Sequence, residues 1–220
     1  MLLNTQHSLL ITNLFEISRQ QILLKEDFKN NKRKWEIVDI DTEYSSIKEA
    51  YYYMENKSSS QWNYYKTKST IKSEDFFILD TAIELLSAEK YGHFGLVWGF
   101  DKAREVLNRF TISADGKRAV IMQFEKDYKR VYHRFQTRNI PKINFKAPVR
   151  LTLIKLGEYL YFLINKINIY MAHESQFIHN GPYIGYYIEP ELSIRSNRIE
   201  LSKIKARPIE AVTGFKQLIN

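Results

Sequence analysis

The residues with the plainest chemical capacity are the carboxylates of "DIDTE", where Asp39, Asp41 and Glu43 recur at i, i+2 and i+4. On a β-strand that spacing places all three on one face, because successive side chains alternate. Two carboxyl groups about 5 Å apart suffice to hydrolyse a glycosidic bond, one as nucleophile and the other as general acid and base. The ends of such a run lie ~13 Å apart along the backbone, so the outer pair must lean together. The other reading of the run is an exposed acidic loop.

A second chemistry is stacking. Trp35 and Trp62 each offer a ring that fits the apolar face of a pyranose, or else each simply packs in a core. In "YIGYYIEPE", Tyr183, Gly185 and Tyr187 alternate with Ile184, Tyr186 and Ile188. The tyrosines of that strand suit a protein interface as well as a sugar. The five histidines, His7, His93, His133, His173 and His179, show no HxxxH or HxH spacing, and no metal is expected. The chain has no cysteine, which excludes disulfides, thiolate metal sites and cysteine nucleophiles. It also lacks a Gly-rich phosphate loop and a GxSxG elbow, so nucleotide and acyl-transfer chemistry are poor candidates and no cofactor is expected.

The formal net charge of +8 favours anionic partners, yet the cations are spread along the chain except in "KNNKRK", Lys29 to Lys34. That cluster is either a solvated basic loop or the footprint of a nucleic acid or acidic partner. The opening "MLLNTQHSLLITNLFEISRQQ" is apolar but interrupted by Asn4, Gln6, His7 and Asn13, and has no basic leader. It does not read as a signal peptide or a membrane span, so a cytoplasmic location is the default expectation.

These residues must be carried by strands. A hydrophobic fraction of 44%, with 15 Tyr and 13 Phe, supplies a core without staples. Residues 1–21 form an N-terminal extension in which Leu10, Leu14 and Ile17 recur at helical spacing; an added strand is the alternative. From 22 to 209 the chain is a train of short Tyr, Phe, Ile and Val runs between turn residues, and 210–220 is a tail. Strands are expected near 22–28, 47–55, 60–66, 74–86, 92–101, 105–113, 117–125, 128–136, 147–156, 158–165, 167–173, 183–189 and 198–206. Hairpin turns are expected at Asp115 and Gly116, at Gly157, and at Asn165 and Lys166. So many sequential strands without helices imply antiparallel sheets that cover one another, as a sandwich or a barrel.

"YYYMENKSSSQWNYY", "GLVWGFD", "NRFTISADG", "VRLTLIKLGEYLYFLINK" and "RIELSKIK" resemble, in order, the segments of bacterial concanavalin A-like lectin/glucanase jelly-roll domains. The resemblance covers most of residues 22–206 and implies an all-β fold, a jelly-roll sandwich of two antiparallel sheets. It allows sugar recognition, hydrolysis or plain scaffolding, and retaining glucanases of that superfamily carry an alternating acidic strand similar to "DIDTE".

Period-two alternation sorts the faces. Leu96, Trp98 and Phe100 are expected in the core with Phe110, Ile112, Leu151, Leu153, Leu160 and Phe162. Gly95, Val97 and Gly99 then open onto the other face, with Arg109, Thr111, Arg150, Thr152, Tyr159 and Tyr161. Glycines there either let a ligand or a neighbouring chain approach the backbone, or permit strong sheet curvature or close packing by the protein's own loops. Arg109, Thr111, Arg150, Tyr159 and Tyr161 are the candidate ligand-binding residues. The sequence thus predicts a non-catalytic recognition or assembly module for a glycan or protein partner. A structural component of a larger assembly and a glycoside hydrolase using Asp39, Asp41 and Glu43 are the alternatives, and a nucleic acid is the less favoured partner.

Overall fold

Alternating β-branched and aromatic residues drive this chain into strands, which a computed structural model describes over residues 20–71, 75–88, 92–125, 130–177 and 181–204. The first five strands are β1 (Gln20–Glu26), β2 (Val38–Ile40), β3 (Glu43–Lys48), β4 (Tyr51–Asn56) and β5 (Asn63–Lys68). The next five are β6 (Phe77–Ala88), β7 (His93–Asp101), β8 (Val106–Ser113), β9 (Ala119–Glu125) and β10 (Arg130–Thr137). β11 (Val149–Leu156), β12 (Tyr159–Ile164), β13 (Ile167–His173), β14 (Tyr183–Ile188) and β15 (Leu192–Ile204) complete the set. The helix expected over 1–21 falls on residues 1–19, outside the described residues, while Gln20 and Gln21 open β1. The 210–220 tail also lies outside them.

The strands form two antiparallel sheets. One runs β13-β12-β11-β6-β15-β4-β3-β2, with β1 pairing the far end of β15, and has nine strands; the other runs β10-β9-β8-β7-β14-β5 and has six. Their facing sides make one core: Trp98 meets Phe162 at 5.5 Å and Phe177 at 5.4 Å, and Phe110 meets Phe162 at 5.5 Å. The expected core residues Leu96, Ile112, Leu151, Leu153 and Leu160 lie there too. Burial of this apolar surface is the main force holding the sheets together. A polar seam crosses it, where the buried Tyr186 hydroxyl bonds Ser196 at 2.8 Å and Thr81 at 3.1 Å. Burial raises the Tyr186 phenol far above its ordinary range, so it stays neutral.

Two expectations needed correction. The run 47–55 is not one strand but parts of β3 and β4, joined by Glu49 and Ala50 with φ of 54° and 58°. Positive φ at both central residues gives the twist a tight hairpin needs, but Glu and Ala carry no turn signal. The strand expected at 198–206 begins earlier, at Leu192. The hairpin at Asn165 and Lys166 forms as expected, with φ of 48° and 70°.

A third correction concerns Phe100. The ladder between β7 and β8 slips between Trp98 and Asp101, where Gly99 adopts φ of 57°. A bulge of this kind inserts one residue and reverses the alternation beyond it. Phe100 therefore leaves the core and joins Val97, Leu107 and Tyr187 on the outer face of the six-stranded sheet. Gly99 lines a small cavity between the sheets with Trp98, Lys155 and Leu160.

Candidate functional site

The candidate residues divide between two outer faces. Phe110 and Ile112 point into the core from β8, so Arg109 and Thr111 point outward from the six-stranded sheet. Leu151, Leu153, Leu160 and Phe162 point into the same core from the opposite side. Arg150, Thr152, Tyr159 and Tyr161 therefore lie on the outer face of the nine-stranded sheet. The expectation of one shared face is corrected: alternation assigns residues to faces within a sheet, and the core separates the two sheets.

On the nine-stranded face the charged candidate is consumed by its neighbours. Asp80, almost fully buried, accepts from Arg150 Nε at 2.6 Å and Thr152 at 2.7 Å and pairs with Arg198. Tyr161 is buried with Ile78, Ile154 and Leu163, and Tyr159 packs against that cluster. Burial pushes the Tyr161 phenol up to about 12.

The six-stranded face is built differently. Val97, Phe100, Leu107 and Tyr187 form a buried apolar floor, and Trp62, Tyr64 and Tyr183 lie half-exposed against it. Trp62 lies 5.4 Å from Tyr187 and 5.9 Å from Phe124, and Tyr64 lies 4.9 Å from Phe100. β5 and β9 are four strand spacings apart, ~19 Å in a flat sheet, so rings at these two positions meet only if the face curls inward or Trp62 crosses it.

The glycines supply the curl. A Cβ built on Gly95 falls 2.2 Å from Phe110 O, and one on Gly185 falls 1.9 Å from Tyr65 O. Both would point to the outer face, so the neighbouring backbones rise toward that side and make it concave. Of the roles the sequence left open for Gly95, these backbone contacts support curvature.

At one end of this face lies a polar group that sequence reasoning missed. Glu189, just after β14, accepts from His93 through its backbone N–H at 2.8 Å and meets the His93 Nδ1 at 3.0 Å. Arg109 Nη1 reaches the other carboxylate oxygen at 3.3 Å, and its guanidinium lies 4.3 Å from the centre of the Tyr187 ring. Tyr187 also donates to Glu189 at 3.3 Å. Burial alone would raise the Glu189 carboxyl, but the His93 bonds and the Arg109 charge outweigh it and hold the group below its ordinary range. His93 Nε2 and Arg109 Nε remain buried without a hydrogen-bond partner, so the cluster has more polar capacity than the fold uses. His93 and Glu189 are 96 residues apart, and only the β7 and β14 pairing unites them. No local pattern could have found them.

Trp35 is a core residue, packed on Phe28 and Tyr52. Tyr187 is buried rather than exposed, whereas Tyr183 is partly accessible. "DIDTE" is a hairpin and not a strand: Asp39 lies on β2, Asp41 in the turn and Glu43 on β3. Asp39 pairs with Tyr44 and Ile40 with Glu43, which puts Asp39 and Glu43 on opposite faces. Burial raises the Glu43 carboxyl, against a lowering bond from Tyr65.

No protein-family model matches the chain, and no curated protein does. Solved structures do. A protein of unknown function with galectin-like fold from Bacillus subtilis shares 13% identity at a TM-score of 0.62, covering 87% of this chain and 100% of that one. The endo-β-1,3-glucanase from Pyrococcus furiosus shares 7% identity at 0.60, covering 86% and 97%. The carbohydrate binding module CBM66 from Bacillus subtilis shares 14% at 0.52, covering 76% and 94%. The chain has the concanavalin A-like lectin/glucanase jelly-roll fold, on which both glucanases and carbohydrate-binding modules are built.

Proposed function

We propose that the protein is a non-catalytic recognition module that binds a glycan on the concave outer face of its six-stranded sheet. One observation carries the reading: half-exposed Trp62, Tyr64 and Tyr183 sit on a buried apolar floor beside the Arg109, Glu189 and His93 cluster. Rings of this kind stack on the apolar faces of sugars, and a fixed carboxylate with neighbouring donors orients hydroxyls. The name of CBM66, a carbohydrate binding module of the same fold, is consistent with it.

Hydrolysis is less well supported. It needs a second carboxyl group about 5 to 9.5 Å from the first. Among the described side chains pointing outward from this sheet, Glu189 is the carboxylate, and it is held ionised by its partners. Asp39, Asp41 and Glu43 do not share a face. The test is affinity electrophoresis through a panel of embedded polysaccharides, with reducing ends assayed in parallel. Retardation by at least one polysaccharide without release of reducing ends is expected. No retardation anywhere, or reducing ends that vanish in Glu43→Gln, would overturn the reading.

A further inference from the structure

The basic run at Lys29 to Lys34 has no part in the site as described, yet it is built with care. Phe28 and Trp35, at its two ends, are buried in the core with their rings 5.5 Å apart, and both lean on Tyr52. Asn31 closes the loop by accepting from Trp35 N at 2.7 Å and donating to Trp35 O at 2.9 Å. Asn30 accepts from Lys32 N, and the Arg33 carbonyl accepts from Thr67 on β5 at 3.0 Å. Phe28 and Lys34 both hold positive φ, 53° and 55°, which costs a residue with a side chain roughly 1–2 kcal/mol. A doubly anchored loop holds its backbone in one place at the β5 edge.

Those side chains are cations. Lys29 pairs with Asp27 at 3.3 Å, while Lys32, Arg33 and Lys34 are exposed and have no ion pair among the described residues. Thr67 shares the core-facing side of β5 with Tyr65, so its bond sets the loop at the β5 edge of the sandwich, next to the exposed Lys68. Along the same strand Lys66 lies over the Tyr64 ring at 4.3 Å, and Tyr64 belongs to the aromatic face. Tyr64 and Lys68 are ~13 Å apart along the strand, the reach of a few sugar units. The aromatic face and the basic loop thus meet at the β5 edge.

We infer that the ligand is an acidic polysaccharide, its chain seated on the aromatic face and its anionic groups held by Lys32, Arg33, Lys34 and Lys68 at the β5 edge. This rests on the glycan reading above and adds the class of glycan. A nucleic acid offers the same kind of charge, and the single-stranded DNA arm of the test distinguishes it.

The test uses wild-type protein and the K32Q/R33Q/K34Q variant, on polygalacturonate, its fully methyl-esterified form, alginate, heparin, laminarin and a single-stranded DNA. Melting curves establish that the variant is folded. At least one acidic polysaccharide should bind wild type with an affinity that falls about tenfold or more between 50 and 200 mM salt. Methyl esterification and the triple substitution should each weaken binding about tenfold. Neutral glycans bound as well as acidic ones, with the triple variant unaffected, would overturn the inference and leave the glycan reading standing. Binding of no polysaccharide at all would bring down both. DNA bound more tightly than every acidic polysaccharide, and lost in the triple variant, would replace the inference with a nucleic-acid site.

Discussion

The two outer faces of the sandwich are made from the same kinds of residues and differ in what those residues are committed to. On the nine-stranded face, arginine meets carboxylate: Arg150 and Arg198 on Asp80, and Arg195 on Glu84 at 2.6 Å. Arg195 also lies 4.1 Å from the centre of the Tyr51 ring and bonds the Tyr53 hydroxyl, so even its aromatics serve a closed arrangement. On the six-stranded face the aromatics stand half-exposed over a greasy floor, Glu189 is the carboxylate, and Lys32, Arg33 and Lys34 of the adjoining loop have no ion pair among the described residues. The first face satisfies itself and stabilises the fold. The second leaves aromatic rings half-exposed beside the Arg109, Glu189 and His93 cluster.

The largest effect is expected beneath both faces. Trp98→Ala removes the ring that packs on Phe162 and Phe177 and should cost about 3–5 kcal/mol in chemical denaturation. A variant as stable as wild type would mean that this part of the core does not hold the faces apart. Gly185→Ala touches only the concave face, where its Cβ meets the backbone of Tyr65. A loss of about 1–3 kcal/mol, with a larger fractional loss of glycan binding than of stability, is expected because the sheet must flatten to admit it. Asp80→Ala is its counterpart on the other face. It leaves Arg150 and Arg198 without their shared acceptor, but both can turn to water, so about 2 kcal/mol should be lost with glycan binding intact. Loss of binding in the Asp80 variant would erase the distinction between the faces.

How far the sequence revealed this follows from what alternation can and cannot carry. Phe110, Ile112, Leu151, Leu153, Leu160 and Phe162 reached the core as expected, because each strand's period survives folding. Phe100 did not, since one bulge at Gly99 reverses the period and a lone glycine has several other meanings. The turn at Glu49 and Ala50 was invisible because its residues tolerate positive φ poorly and so give no signal. Arg109 was found by its place on β8, whereas His93 and Glu189 join it only through strand pairing across most of the domain. Arg150 and Tyr161 share Arg109's pattern, but which sheet a strand joins is fixed by long-range order that no local pattern records.

The smallest effects concern two carboxyl groups shifted in opposite directions. Glu189 has a lowered folded pKa, so its contribution to stability is complete above the ordinary carboxylate range, near 4.3, and is lost as pH falls through the folded value. Glu189→Gln should therefore reduce stability at neutral pH and flatten the acid side of the profile. Glu43 has a raised folded pKa, chiefly through burial, so its protonated form favours the fold and its ionisation works against it. Glu43→Gln should leave stability at pH 7 equal or slightly higher, with the difference vanishing below the ordinary carboxylate range. A destabilised Glu43→Gln at pH 7 would show that this carboxylate has a favourable partner.

The most direct test pairs one double variant from each face. Against a polysaccharide that retards the wild-type protein, affinity electrophoresis of Trp62→Ala with Arg109→Ala should show about a tenfold or greater loss of affinity. Arg150→Ala with Tyr161→Ala, checked by melting to remain folded, should bind as wild type does. Undiminished binding by the first pair, or binding lost in a folded second pair, would contradict the assignment of the concave six-stranded face as the ligand face.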